Sequence, residues 1–319
     1  MRAATGWGSL LWVAAALVGC GSTASPTDAA PSATASSSSS PAPSKPKEPK
    51  PPWIGVEGPV APLQSLLDPK NQGPYGGPTA RLHGKITITG DPPALSKLTF
   101  PKECPDAEAV FGKLFRVDAS KGLADVLVAV TGFEGFVPAK SDAVTVTIKG
   151  CGFDRRTVAL AVGQRLDVRN LDAVTSYTPF LDGSEYSALR VAVPRGLAVP
   201  LSTRRPGQYL LRDAMQRPFM LADVFVLKYA TTAITALDGT YAIEGLPVGK
   251  VRVDALLPVL RKTTGKDVEL KEGDNQLDLE LKYDAKVDQP VLVPDAQIGT
   301  RDNGVNPVAK PTPTAAPSP

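Results

Sequence analysis

Leu237-Asp238-Gly239-Thr240-Tyr241-Ala242-Ile243-Glu244-Gly245-Leu246-Pro247-Val248-Gly249-Lys250-Val251-Arg252-Val253 is the stretch on which the fold turns. From Thr240 the side chains alternate, so Tyr241 and Ile243 are expected to face a core and Thr240 and Ala242 the other side. Asp238-Gly239 ahead of them reads as a tight hairpin turn, because glycine accepts a positive φ without steric cost. Leu246-Pro247-Val248-Gly249 makes a second turn, after which Val251 and Val253 return inward. Period two is the period of a strand with one buried face.

The same reading extends in both directions. Lys85 to Thr89 alternates and stops at Gly90-Asp91-Pro92-Pro93. The apolar run that ends at Val130 has the pattern of a strand buried on both faces, spanning Asp125 to Val130. Ala143–Ile148 and Arg165–Arg169 alternate. Further strands are predicted over Thr157–Val162, Ala188–Val193, Gln208–Arg212, Val224–Lys228, Tyr241–Ile243, Val251–Leu256, Val268–Leu270 and Gln276–Tyr283, with turn signals between them. Helix is predicted at Pro105–Phe115, with Asp106 and Glu108 in the first turn; Trp53, Ile54, Val56, Leu63, Leu66 and Leu67 break the polar pattern of the linker, and are read either as a loose flap docked on the domain or, over Pro62–Leu67, as one helical turn. The sum is an all-β chain, sandwich-like.

Composition bounds the partners. The chain has 319 residues and a net charge of +3, with both signs interspersed, so no basic face points to nucleic acid. Apart from proline, residues 22–50 contain no apolar side chain larger than Ala. Such segments bury too little apolar surface to offset their ordering entropy, so both termini are expected to be disordered. The single histidine, His83, sits in a strand-like stretch and reads as an exposed strand residue rather than a ligand. No Gly-rich phosphate loop, paired-carboxylate cleft or nucleophile with a histidine partner is marked, and no catalytic residue or cofactor is assigned.

At the N-terminus, Arg2 precedes an apolar run from Leu10 to Leu17 that is too short to span a bilayer, and Leu17-Val18-Gly19-Cys20 closes it. The segment resembles a bacterial lipoprotein signal with its lipobox. That resemblance implies cleavage before Cys20, lipidation of Cys20, and a mature chain tethered to a membrane; the alternative is an ordinary cleaved signal with a chance cysteine. Gly21 and Ser22, with no Asp after the cysteine, then suggest the outer membrane rather than the inner. Cys104 and Cys151 remain, 47 residues apart. An exported chain favours a disulfide between them; two buried free thiols are the alternative.

Two further resemblances follow from the residues already quoted. Leu237–Val253 looks like the signature of carboxypeptidase regulatory-like domains, small transthyretin-like sandwiches without catalytic residues. Lys149-Gly150-Cys151-Gly152-Phe153, the Gly163-Gln164 turn, the strand ending in Asn170-Leu171-Asp172, and Pro206-Gly207-Gln208-Tyr209-Leu210 together resemble the cupredoxin (plastocyanin-like) family. In that family the copper ligands are two His, a Cys and an axial Met. Laid against this chain, their places fall on Ser176, Ala214, Arg217 and Met220. Only the thioether survives, and residues 170–230 contain no His or Cys from which the others could come. A blue-copper site needs a thiolate and two imidazoles, so the metal is expected to be absent. Ser176, Tyr177, Arg212, Arg217 and Met220 are then left either as a small polar patch or as ordinary packing.

The resulting plan is a signal peptide over 1–19, a lipidated Cys20 with a Ser/Pro-rich linker over 20–79, a Greek-key, cupredoxin-like domain over 80–228, a transthyretin-like module over 229–283, and a Pro-rich tail over 284–319. Whether the strand at 83–89 belongs to the first β-domain or the second is open. The function expected is that of a non-catalytic structural or binding module, held in the cell envelope by its lipid, with an envelope protein or polysaccharide as possible partner. The alternative is an extracytoplasmic copper-handling or electron-transfer protein, or an enzyme with an unrecognised site.

Overall fold

A computed structural model describes residues 60–185, 189–215 and 217–290. The predicted leader, Cys20, the linker up to residue 59 and the tail from residue 291 lie outside the described residues. In chain order the elements are α1 (Val60–Leu67), β1 (Thr79–Gly90), α2 (Pro105–Phe111), β2 (Leu127–Thr131), β3 (Ala143–Lys149), β4 (Gly152–Phe153), β5 (Thr157–Ala161), β6 (Arg165–Asn170) and β7 (Pro179–Asp182). There follow β8 (Val199–Leu201), β9 (Gly207–Asp213), β10 (Leu221–Leu227), β11 (Thr232–Ile234), β12 (Thr240–Pro247), β13 (Gly249–Leu257), β14 (Lys262–Leu270), β15 (Gly273–Gln276) and β16 (Leu279–Tyr283). The chain is all-β, as its alternation requires.

Tyr241, Ile243, Val251 and Val253 are all buried, so both limbs of the Leu237–Val253 stretch cover the faces their alternation marked. The limbs, β12 and β13, lie in different sheets. β12 runs antiparallel to β1, with Leu82 opposite Ile243, whereas β13 pairs with β2 and β14. Asp238-Gly239 does form a tight turn: Gly239 N–H donates to Ala236 O at 3.0 Å and has φ +82. Ala236 N–H also donates to Thr240 O at 2.9 Å, closing the turn as a hairpin does, but no β11–β12 ladder follows it, because β11 pairs with β2. The turn carries the chain from one sheet to the facing one.

Two sandwiches result. In one, the sheet β12-β1-β15, with β16 also on β1, faces the sheet β11-β2-β13-β14 across a core that includes Leu82, Ile86, Val128, Val130, Tyr241, Val253, Leu281 and Tyr283. In the other, β5-β10-β9-β7 faces β4-β3-β6-β8 across Val146, Phe153, Leu160, Val168, Tyr209, Leu211 and Val224. Both mix parallel and antiparallel pairs; β3 runs parallel to β6, and β5 to β10.

The predicted division at 228/229 is therefore corrected. β1 and β2 belong to the sandwich of the C-terminal module, and residues 143–227 are inserted into it. The long alternating β1 buries Ala80, Leu82, Ile86 and Ile88 in that core, which places it between β12 and β16. The chain leaves and returns side by side: Val130 N–H donates to Thr231 O at 2.9 Å, and Thr231 Oγ1 donates to Val130 O at 2.6 Å. Adjacent entry and exit points are what makes such an insertion possible without disturbing the host core.

Four smaller corrections follow. Leu63, Leu66 and Leu67 of α1 pack on the inserted core, so the stretch 60–79 is part of the folded body and not of a linker. The tail assigned from 284 begins with a turn in which Lys262 Nζ meets Asp288 at 2.5 Å. α2 stops at Phe111, short of the predicted Phe115, and Phe115 instead joins the outer core. The strand predicted at 188–193 is absent from residues 189–193, which hold only a single bridge from Ala192 to Tyr177. Cys104 and Cys151 form the expected disulfide, Cα–Cα 5.1 Å, joining the start of α2 to the β3–β4 turn.

Candidate functional site

The places read as former copper-ligand positions gather at the end of the inserted sandwich where β6, β7, β9 and β10 meet loops. Asn170, fully buried at the end of β6, organises the first loop. Its Oδ1 accepts the Asp172 N–H at 3.0 Å, and its Nδ2 donates to Thr175 O and Ala192 O, both at 2.8 Å. The Asn-x-Asp pattern thus has a local physical role: the amide side chain replaces the ladder that ends with the strand. Ala214 N–H donates to Thr178 O at 3.0 Å, extending the β7–β9 pairing and setting residues 176–178 beside 213–217.

What fills this end is a closed set of polar pairs. Tyr177, 1 % exposed, donates its hydroxyl to Asp172 Oδ2 at 2.5 Å. Asp172 also accepts the N–H groups of Gly150 at 2.7 Å and Cys151 at 3.2 Å, which ties the loop to the disulfide turn. The Arg217 guanidinium lies 5.0 Å from the centre of the Tyr177 ring and pairs with Asp213 at 2.7 Å. Asp213 has a side chain with no exposure, and its other oxygen accepts the Thr178 N–H at 2.7 Å. Burial first, and then the hydrogen bond to Asp172, push the Tyr177 phenol well above its ordinary range, so it stays a neutral donor. Arg212 is paired as well, 3.4 Å from Asp182.

The predicted ligand places and the rest of the patch meet different fates. Ser176 is exposed, and Ala214, at the predicted Cys place, offers only a methyl group. Met220 is 1 % exposed and belongs to the core with Tyr177 and Phe219, its thioether turned into packing. Arg217 and Tyr177 are brought together. Asp172 and Asp213, which hold the arrangement, were not singled out as site residues; the Asn-x-Asp motif was the available signal for the first, and nothing local marks the second. A hydroxyl, a methyl group, a paired guanidinium and a buried thioether do not fit a Cu(II) centre. Among the described residues no three His, Cys, Asp or Glu side chains are grouped to hold a metal ion. His83 lies elsewhere, half-buried on β1 with Nδ1 3.8 Å from Asp274.

No protein-family model matches the chain, and no curated protein does. Among solved structures it is similar to the Cu-containing nitrite reductase (NirK) from Thermus scotoductus SA-01, at 18 % identity and a TM-score of 0.23, over 30 % of this chain and 24 % of that one. A reduced mutant of amicyanin is 18 % identical, with a TM-score of 0.24 over 31 % of this chain and 97 % of that one. An oxidised amicyanin mutant is 22 % identical, with a TM-score of 0.23 over 27 % and 82 %. The chain spans about a quarter of the length of the nitrite reductase it matches.

Proposed function

We propose that the protein is a lipid-anchored component of the cell envelope, acting as a non-catalytic structural or binding module. On this reading its inserted sandwich is a cupredoxin-like domain that has lost its copper site. The outer one is a carboxypeptidase regulatory-like, transthyretin-like module. The observation that carries the proposal is the Asp172–Tyr177 and Arg217–Asp213 pairing where ligands would stand. A site kept for a metal leaves its donors free; here the polar atoms are engaged with one another. The anchor is supported by Cys20 directly after Leu17-Val18-Gly19. The outer membrane is the favoured address, and an envelope protein or polysaccharide the favoured partner.

Copper titration of the purified protein tests the first part. The expected result is no visible charge-transfer band and no thermal shift at one equivalent; either one refutes the loss of the site. Substituting Cys20→Ala tests the second. After a high-salt wash the variant is expected in the soluble fraction, and its retention on membranes through that wash refutes the anchor.

A further inference from the structure

Ten large apolar side chains stand exposed among the described residues, and seven of them lie in three loops at one end of the inserted sandwich. Leu171 and Val174 follow β6; Leu189, Val191, Val193 and Leu197 precede β8; Met215 lies between β9 and β10. Apolar residues scattered singly over a surface need no explanation, but a cluster does. The loops are held together. Tyr177 and Ala192 exchange backbone hydrogen bonds of 3.1 and 2.7 Å, Asn170 Nδ2 bonds Ala192 O at 2.8 Å, and Ala214 N–H bonds Thr178 O at 3.0 Å.

In the middle loop the usual sense of alternation is reversed. Leu189, Val191 and Val193 are 65 %, 58 % and 49 % exposed, while the small Ala192 between them is buried. Val174 at 87 % and Leu197 at 92 % stand almost clear of the protein. Side chains this proud of the surface gain little against a flat rigid face; they are fully covered only by a medium that closes around them.

Charge selects that medium. Arg190 and Arg195 sit among these side chains, and neither has an ion-pair or hydrogen-bond partner among the described residues. Of the carboxylates at this end, Asp172 is engaged by Tyr177 and two backbone N–H groups, Asp213 by Arg217 and Asp106 by Lys149, which leaves Glu103, exposed beside the disulfide turn. The face is therefore apolar and cationic at once. We propose that it docks on an anionic lipid bilayer, with the apolar tips in the headgroup–acyl boundary and Arg190 and Arg195 on lipid phosphates. This deepens the envelope reading and rests on it only for proximity.

The test uses the mature chain made without its lipid, so that its outcome is independent of the anchor. The protein is sedimented with vesicles of phosphatidylethanolamine and phosphatidylglycerol, and with vesicles of phosphatidylcholine alone. Co-sedimentation with the anionic vesicles, weakened by salt, is expected, and a Leu197→Trp variant should show a blue-shifted emission there beyond that of Trp53. Val174→Asp with Leu197→Asp should lower the partition coefficient at least about tenfold, because two buried aliphatic groups become charges. Thermal unfolding of that variant should be unchanged, since both positions are exposed. No co-sedimentation, or co-sedimentation indifferent to the double substitution, overturns the proposal. So does a concentration-dependent dimer that the double substitution splits, with no vesicle binding, which would give the face to a second copy. Retention of the Cys20→Ala variant on membranes through a high-salt wash bears on the anchor instead, whereas retention that the wash removes is what this face predicts.

Discussion

Replacing Asp125 by Asn should weaken the join between the two sandwiches. Asp125 precedes β2, is 4 % exposed, and has φ +63. Its carboxylate accepts Arg116 Nε at 2.7 Å and Nη2 at 2.6 Å, and the backbone N–H of Arg156 at 3.1 Å. Its carbonyl accepts Thr157 Oγ1 at 2.7 Å, so the outer sandwich is tied here to the start of β5. Arg156 in turn donates to the carbonyls of Val110, Lys113 and Leu114 at the end of α2 and lies 5.1 Å over the Phe111 ring. Burial lowers the Arg156 pKa to about 10, and the charge of Asp125 opposes that shift. The Arg116 and Asp125 side chains are only 16 % and 6 % exposed, so solvent screens the pair little.

Breaking a buried pair from one side costs about 3–5 kcal/mol, chiefly because the surviving charge is left without a partner. Asn tolerates the left-handed backbone and keeps one acceptor, so the lower end, about 3 kcal/mol, is expected. For a folded body of this size that corresponds to a fall in Tm of roughly 6–12 °C. Urea unfolding followed by far-UV circular dichroism measures it, as a lower midpoint at unchanged slope. Arg116→Met added to Asp125→Asn should then cost little more, since the stranded charge is gone. A loss below about 1 kcal/mol for Asp125→Asn, or full additivity of the two substitutions, would refute the reasoning.

Three further outcomes are expected. Cys104→Ala with Cys151→Ala should cost up to about 4 kcal/mol, from the loop-closure entropy of a 47-residue separation, with reduction of the wild type adding two protons by intact mass; equal urea midpoints for variant and oxidised wild type would contradict this. Tyr177 and Tyr241 are both held above the ordinary phenol range, burial being the first cause for each. Because the folded value is the raised one, their contribution is complete below pH ~10 and is lost above it, so stability should fall with alkali and Tyr177→Phe should flatten the fall; a Phe variant that tracks the wild type at every pH would argue against it. Gly239→Ala should destabilise by more than about 1 kcal/mol, because φ is +82 and the added Cβ would collide with the Ile86 carbonyl oxygen; a shift in urea midpoint within error would show that the turn can relax.

Much of the secondary structure was legible because alternation is a local property. Period two assigned the buried faces of β12 and β13, and the continuous apolar run before Thr131 became β2, buried on both sides. The failures also have local causes. Ala188–Val193 reads as a strand from its alternation, but Leu189, Val191 and Val193 face outward and residues 189–193 form no ladder, so period alone could not say which face was inside. Asp238-Gly239 carries hairpin chemistry, yet a tight turn reverses the chain equally well between sheets as within one.

The fate of the site divides in the same way. Residues 170–230 lack His and Cys in any fold, so the expectation that no thiolate or imidazole stands at the aligned ligand places is a statement about the sequence itself. What stands in their place is not. Asp172, Tyr177, Asp213 and Arg217 meet because β6 and β9 end where β7 begins, and Asp125 meets Arg156 because one sandwich is threaded into the other. The sequence by itself determined an all-β chain, the faces of its main strands and the cysteines able to pair. Only the tertiary structure decided that β1 and β2 belong with β12 and β13. Backbone hydrogen bonds are the same for every residue, so the partner of a strand is chosen by which core accepts its side chains, and that core exists only once distant segments have assembled.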